Sequence, residues 1–312
     1  VHKAAAKGVL EMVYNLISGF CMALADSVPG VSGGTIAFVM GFYDTLITSL
    51  SNLFHGTKEE RRNGLKFLAK LGLGWVVGMA LAVSLLAGVF TSGIYLVSSL
   101  FLGFVLASIP LIVAEEKESI IGQYKNIPFA VLGAALVILL SSFNLSSSVH
   151  NLGFTPGTAL YTVLAGMLAI SAMVLPGISG STLLMTFGLY VPVITGVKEI
   201  LHLHFSSLWL IVCLAIGILA GVVLTMRGIK NLLDHHRSAA VYAILGMMVG
   251  SLYAIVLGPT TLKVPQHSMT VSDFNIWLFL VGCLAVLGLY GLKVFMKKQK
   301  ETNKDAELDS EC

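Results

Sequence analysis

Charge is scarce in this chain. Asp, Glu, Lys and Arg make up 11% of its 312 residues, against about 25% in an ordinary soluble domain. That shortage excludes a soluble globular domain, and with a formal net charge of only +3 it leaves no basic face for a nucleic-acid partner. Cysteine is nearly as rare. Cys21, Cys213, Cys283 and Cys312 are the only four, three of them inside apolar runs. Their spacing fits neither a disulfide framework nor a metal-ligand set, so no bound metal or cofactor is expected. No Gly-Lys-Ser/Thr run is present, which argues against nucleotide hydrolysis through a P-loop. The first apolar run carries no clear cleavage site, so it reads as part of the fold and not as a signal peptide.

What the chain has in quantity is apolar sequence: 56% hydrophobic residues and a mean hydropathy of +0.89. Several runs of roughly 17–21 apolar residues are long enough to cross a bilayer as helices. The fold class expected is therefore an all-α polytopic membrane protein. Within it, Pro29-Gly30-Val31-Ser32-Gly33-Gly34-Thr35 recurs 147 residues later as Pro176-Gly177-Ile178-Ser179-Gly180-Ser181-Thr182. At that spacing residues 20–50 and 167–197 match at ten of 31 positions, among them Ala25/Ala172, Gly41/Gly188 and Tyr43/Tyr190. A Pro/Gly break repeated in two halves of a membrane protein points to a transporter's binding site.

Taken in order, a basic lead at 1–7 precedes an apolar arm at 8–28. Pro29 and Gly30 end that arm, because proline removes a donor and restricts the residue before it. Ser32 can cap a second arm at 34–54, and the two arms read as a re-entrant hairpin, with a pair of tilted full spans as the alternative. A polar stretch at 55–70 follows, then spans at about 71–91, 98–114 and 127–143. The second half repeats the plan with a hairpin at 157–197 and spans at about 207–226, 239–257 and 274–296. Residues 1–150 and 151–298 thus form two repeats, followed by a charged tail at 299–312 that reads as disordered. Placing 1–7, 55–70, 115–126, 227–238 and the C-terminal end in the cytoplasm puts 17 of the 19 Lys and Arg residues there, leaving only Lys198 and Lys263 outside. This positive-inside bias puts both termini in the cytoplasm. An odd number of crossings then separates the two hairpins, so the repeats are inverted, an architecture of secondary transporters.

A helix starting at Ser32–Thr35 presents unpaired backbone N–H groups that glycine leaves uncovered. Such a terminus attracts anions, phosphate above all, without needing a lysine. The candidate phosphate-binding residues are Ser32, Gly33, Gly34 and Thr35 with Ser179, Gly180, Ser181 and Thr182. Pro29, Gly30, Pro176 and Gly177 are the candidate hinge and turn positions. The plainer alternative is that glycine and serine simply permit close helix packing. Asp26 lies three residues before Pro29 in an apolar arm, opposite Met173 in the repeat, and an intramembrane carboxylate is a functional candidate by default. Asp26, with Asp44 and Glu11 behind it, is the candidate for coupling transport to a proton or sodium gradient. The alternative for Asp26 is a carboxylate satisfied by the N–H groups of its own turn. Arg61, Arg62, Lys66 and Lys70 can hold anionic phospholipid heads, while Lys198, His202, His204 and His150 face the other side. Tyr43 and Tyr190 read mainly as packing residues. The motif cores contain neither His nor Arg, which argues against an enzyme acting on lipid phosphate.

The run Ala25-Asp26-Ser27-Val28-Pro29-Gly30-Val31-Ser32-Gly33-Gly34-Thr35 with Gly41-Phe42-Tyr43, together with Leu175-Pro176-Gly177-Ile178-Ser179-Gly180-Ser181-Thr182 and Gly188-Leu189-Tyr190, resembles the PopT-type polyprenyl-phosphate transporters of bacteria and archaea. The resemblance spans about residues 8–296. It implies a lipid flippase of the bacterial plasma membrane that returns undecaprenyl phosphate, the carrier lipid of peptidoglycan synthesis, from the outer to the inner leaflet for recycling. It also implies alternating access with the phosphate between two hairpin tips and the prenyl tail left in the bilayer. A small-anion transporter using the same helix termini is the rival reading, and a homo-oligomer is compatible with the sequence but not argued by it.

Overall fold

In a computed structural model the described residues are 2–27, 32–142, 154–201, 203–261 and 266–308, and among them the chain is all-helical with no strand. The first arm is α1, His2–Asp26. The second arm is broken in two, α2 at Gly33–Val39 and α3 at Tyr43–His55, with 120° between them. The single helix expected over 34–54 is thus interrupted at Met40–Phe42, where Gly41 takes φ +75°, a left-handed conformation that glycine adopts without strain. α4 follows at Lys58–Ser92, α5 at Ile94–Glu115, the short α6 at Lys117–Ile120 and α7 at Ile127–Ser142. The second half supplies α8 at Pro156–Val174, α9 at Gly180–Thr186, α10 at Tyr190–Leu201, α11 at Leu208–His235, α12 at Arg237–Leu257 and α13 at Ile276–Leu308.

Seven helices are long and apolar enough to cross a membrane, which makes this a multi-pass membrane protein. Six correspond to the spans read from sequence; the seventh is α8, the first arm of the second hairpin. The charged segments differ from expectation. Residues 58–70 are the opening turns of α4 and not a loop, 227–238 is the end of α11 joined to α12 at His236, and the tail expected to be disordered continues α13 to Leu308. Residues 309–312, and with them Cys312, lie outside the described residues, as do His150 and His202.

The packing is written in glycines that let helix backbones touch. α1 lies on α4: a Cβ on Gly19 would strike the Leu71 carbonyl, one on Gly74 that of Leu16 and one on Gly78 that of Phe20. α8 lies on α11 through the same three contacts, Gly166 on Leu214, Gly217 on Val163 and Gly221 on Met167. The other two tight pairs cross between halves. Gly103 of α5 meets Phe279 of α13 and Gly282 meets Leu100, while Gly246 of α12 meets Ala130 of α7 and Gly133 meets Ala243. Exchanging the halves turns the α5–α13 pair into the α12–α7 pair. The two halves are therefore interleaved through shared helix pairs.

At the centre sits α2, every residue of which is buried, in a core with Ile36, Met40, Ile47, Met226, Met248 and Ile255. Around the outside, Leu73, Val76, Val131, Leu132, Leu219, Trp277 and Leu284 are more than half exposed. A band of large exposed apolar side chains is what lipid tails, and not water, solvate.

Candidate anion site where the two motifs meet

α2 runs back along α1. At one end the Gly33 N–H donates to Asp26 Oδ1 at 2.7 Å; at the other, Tyr14 Oη donates to the Met40 carbonyl at 2.5 Å. The second half is closed in the same way, with Tyr161 Oη donating to the Phe187 carbonyl at 2.7 Å. Tyr14/Tyr161 and Met40/Phe187 are each 147 residues apart, as are the starts and ends of α2 and α9 and the starts of α3 and α10. The tyrosine clamps lie just outside the matched window, where carrying the same spacing back to residue 14 would have found them.

Ser32 caps α2, its Oγ accepting the Gly34 N–H at 3.1 Å. The same hydroxyl reaches the Met173 and Leu175 carbonyls, both at 3.1 Å, and Thr35 Oγ1 accepts the Gly177 N–H at 3.2 Å. The two motifs are thus in direct contact, first against second. Gly34 is needed for that approach, since a Cβ there would lie 2.5 Å from the Val174 carbonyl. Gly177 is needed twice over: its φ is +89°, and a Cβ would lie 2.5 Å from the Met247 carbonyl.

The donors counted on for an anion are in use. Gly33 N–H goes to Asp26, Gly34 N–H to the Ser32 hydroxyl and Thr35 N–H to the Ser32 carbonyl at 3.0 Å. Ser32 and Thr35 are buried. The terminus of α2 is already occupied from within the chain, by the Asp26 carboxyl group, whose other oxygen accepts Trp75 Nε1–H at 3.0 Å. Trp75, on α4, was not singled out from sequence. The helix contacts show an asymmetry between the halves here. Aligning the contact glycines of α4 and α11 gives an offset of 143 residues, which sets Ile218 opposite Trp75 just as Met173 stands opposite Asp26. One half carries a polar pair and the other an apolar pair at equivalent positions.

In the second motif Ser179 is buried and the Gly180 Cβ position is filled by Met173, 3.1 Å away. A narrow cleft reaches this motif, walled by Val137, Leu140 and Ala254 and floored by Gly177, Ile178 and Ser179. Its walls belong to α7 and α12, and α7 turns Leu136 and Leu139 outward. The side chains of Ser181 and Thr182, and all of Val28-Pro29-Gly30-Val31 with the hinge positions Pro29 and Gly30, lie outside the described residues.

The remaining candidates are peripheral. Glu11 is exposed on α1. Asp44, at the start of α3, is paired with Arg237 at 3.0 Å, and Arg237 also holds Glu116 at 2.5 Å. Tyr43 packs on Phe38 with ring centroids 5.2 Å apart. No cluster of His, Cys, Asp and Glu able to hold a metal occurs among the described residues.

A family model described as VCA0040-like, undecaprenyl phosphate translocase-like, matches residues 22–272. A protein of Staphylococcus aureus (strain NCTC 8325 / PS 47) named polyprenyl-phosphate transporter is 32% identical over 285 residues, which cover 88% of this chain and 95% of that one. A Vibrio cholerae protein (serotype O1, strain El Tor Inaba N16961) of the same name is 28% identical over 313 aligned positions, covering 90% of this chain and 96% of its own. No solved structure matches. Matched by the family model over most of its length, this multi-pass chain belongs to the VCA0040-like, undecaprenyl phosphate translocase-like family.

Proposed function

We propose that this protein translocates undecaprenyl phosphate from the outer to the inner leaflet of the bacterial plasma membrane, returning the carrier lipid for peptidoglycan synthesis. The observation that carries the reading is the contact between the motifs, Ser32 on Met173 and Leu175 and Thr35 on Gly177. Two anion-attracting breaks from opposite halves close on each other at the centre of a chain whose relatives are named polyprenyl-phosphate transporters. Both hairpins are re-entrant and the repeats are inverted, with both termini cytoplasmic, so that rocking one half against the other opens the paired tips to either side in turn. The phosphate passes between the tips. The prenyl tail stays in the bilayer, leaving through the cleft between α7 and α12.

Asp26 gives the cycle a switch. While ionised it occupies the amide that a phosphate would take, and two anions do not share one helix terminus. Protonation removes that competitor and frees the Gly33 N–H, which couples proton uptake to phosphate entry. Asp26→Asn mimics the protonated state. Transport by this variant loses its pH response, measured as leaflet exchange across pH 5–8; an unchanged pH response excludes this role for Asp26.

The test of the substrate uses proteoliposomes of the full chain with labelled undecaprenyl phosphate, undecaprenol or inorganic phosphate. Movement of undecaprenyl phosphate, with the alcohol and the free ion left behind, is the expected result. Uptake of inorganic phosphate in its place identifies a small-anion carrier, and release of phosphate from the lipid identifies an enzyme.

A further inference from the structure

One cavity is lined by no residue of either motif. It holds about 720 Å³ between α3 and α11, lined by Ser51, Asn52 and His55 on one wall and Leu224, Arg227, Gly228, Lys230, Asn231 and Asp234 on the other. α3 belongs to the first half and α11 to the second, so the cavity lies on the seam between them. Arg227 and Lys230 are three residues apart and therefore share a helix face. Among the described residues neither has a carboxylate within 4.0 Å. That contrasts with the neighbouring cations Arg237 and Lys293, which are held by Asp44, Glu116 and Glu115. Asp234 is the one acid lining the space; Glu60, near Lys230, is engaged by the Thr57 N–H at 2.8 Å and its hydroxyl at 2.9 Å.

The lining changes character along α11. Toward the helix end stand Lys230, Asn231 and Asp234; nearly two turns before Lys230 lies Leu224, 68% exposed. From Leu208 to Arg227 is 19 residues, about 29 Å of helix at 1.5 Å per residue, so Arg227 stands where the hydrocarbon region ends. A cationic recess with an apolar lip at that depth fits an amphipathic anion, not a soluble one. Two unpaired cations match a monoester, whose phosphate carries roughly −1.5 to −2 near neutral pH, better than a singly charged phosphodiester. The arrangement is one-sided as well. At the 143-residue offset that aligns α4 with α11, Arg227 and Lys230 correspond to Ser84 and Ala87, so the repeat supplies no such pair on the opposite face.

We infer that the α3–α11 cavity binds the phosphate monoester headgroup of a lipid in the cytoplasmic leaflet, with Arg227 and Lys230 on the phosphate oxygens, the Asn52 and Asn231 amides beside them and the tail laid over Leu224. The inference rests on the orientation and lipid-phosphate reading above, and it adds a release site separate from the tips. The arginine supplies a forked donor and the lysine a point charge to the same group.

The test is equilibrium binding of farnesyl phosphate, a short prenyl monophosphate, to the purified full chain, with farnesol, inorganic phosphate and phosphatidylglycerol as competitors. Arg227→Gln/Lys230→Gln weakens binding tenfold or more, Asp234→Asn strengthens it, and Lys117→Gln/Lys125→Gln, an equal charge change outside the cavity, stays within twofold. None of the competitors displaces the probe at comparable concentration. Equal binding by the parent and the Arg227/Lys230 variant overturns the proposal. So do equal losses in both double variants, an Asp234→Asn that fails to strengthen binding, absence of binding by the parent, or displacement by inorganic phosphate or phosphatidylglycerol. Leaflet exchange of undecaprenyl phosphate by the parent is measured in parallel. Exchange with binding that ignores Arg227 and Lys230 removes this site and leaves the transport reading; binding that depends on them without exchange does the reverse.

Discussion

Single residues decide whether the two motifs can touch. A Cβ on Gly34 would stand 2.5 Å from a backbone carbonyl of the other half, and backbone does not yield as a flexible side chain does. Gly34→Ala is expected to cost about 1–3 kcal/mol by overpacking, read as a lower unfolding temperature in detergent. Gly72→Ala on α4, where a Cβ meets nothing within 4 Å, is expected to be neutral or slightly stabilising, since alanine favours helix. The tyrosine clamps offer a matched pair. Tyr14→Phe and Tyr161→Phe each remove one hydroxyl bond to a carbonyl, worth about 1 kcal/mol. Similar losses from the two, in thermal unfolding, are what equivalent clamps require. The carboxylate at Asp26 shows why residue-scale reading stopped short. Its depth in an apolar arm was legible, but its partner Trp75 is 49 positions away on another helix, and no local spacing announces such a bond.

At the scale of elements, six spans were legible because apolar runs of bilayer length are hard to mistake. The break at Met40–Phe42 was not. Gly41 and Gly188 were noted as matched positions, yet glycine inside an apolar run is common in membrane helices, and only the backbone shows φ +75° and +67° there. Charge marks where an apolar run ends, not where a helix ends. A helix that leaves the membrane can remain a helix, and Lys58–Lys70 and the end of α13 do so. The helix pairing makes its own prediction. Gly74→Leu and Gly217→Leu place a large side chain where α1–α4 and α8–α11 touch, and both are expected to lower the unfolding temperature sharply. Gly288→Leu on α13 points into open space and is expected to leave it unchanged.

For the whole molecule, the duplication was legible and its consequence in three dimensions was not. Two repeats in sequence suggest two blocks. The chain instead pairs helices across the halves, α5 with α13 and α7 with α12, beside the within-half pairs α1–α4 and α8–α11. With it the two motifs are in contact, Ser32 against Met173 and Leu175, and a cavity lies on the seam between α3 and α11. The charge pattern predicts which way the whole assembly sits, and that can be checked directly. Cysteine placed at His55 is expected to react with an impermeant thiol reagent from the cytoplasmic side, and cysteine placed at His204 from the outside. Both reacting from one side would refute the inverted arrangement.

The central claim is that lipid phosphate crosses between the two motifs. The most direct test is leaflet-resolved movement of undecaprenyl phosphate in proteoliposomes, comparing the parent with Ser32→Ala/Thr35→Ala and Ser179→Ala/Thr182→Ala. The account predicts rapid movement by the parent and loss of at least tenfold in both variants, each still folded by its unfolding temperature. Movement that survives in both would contradict it, because the lipid would then be crossing without the paired motifs.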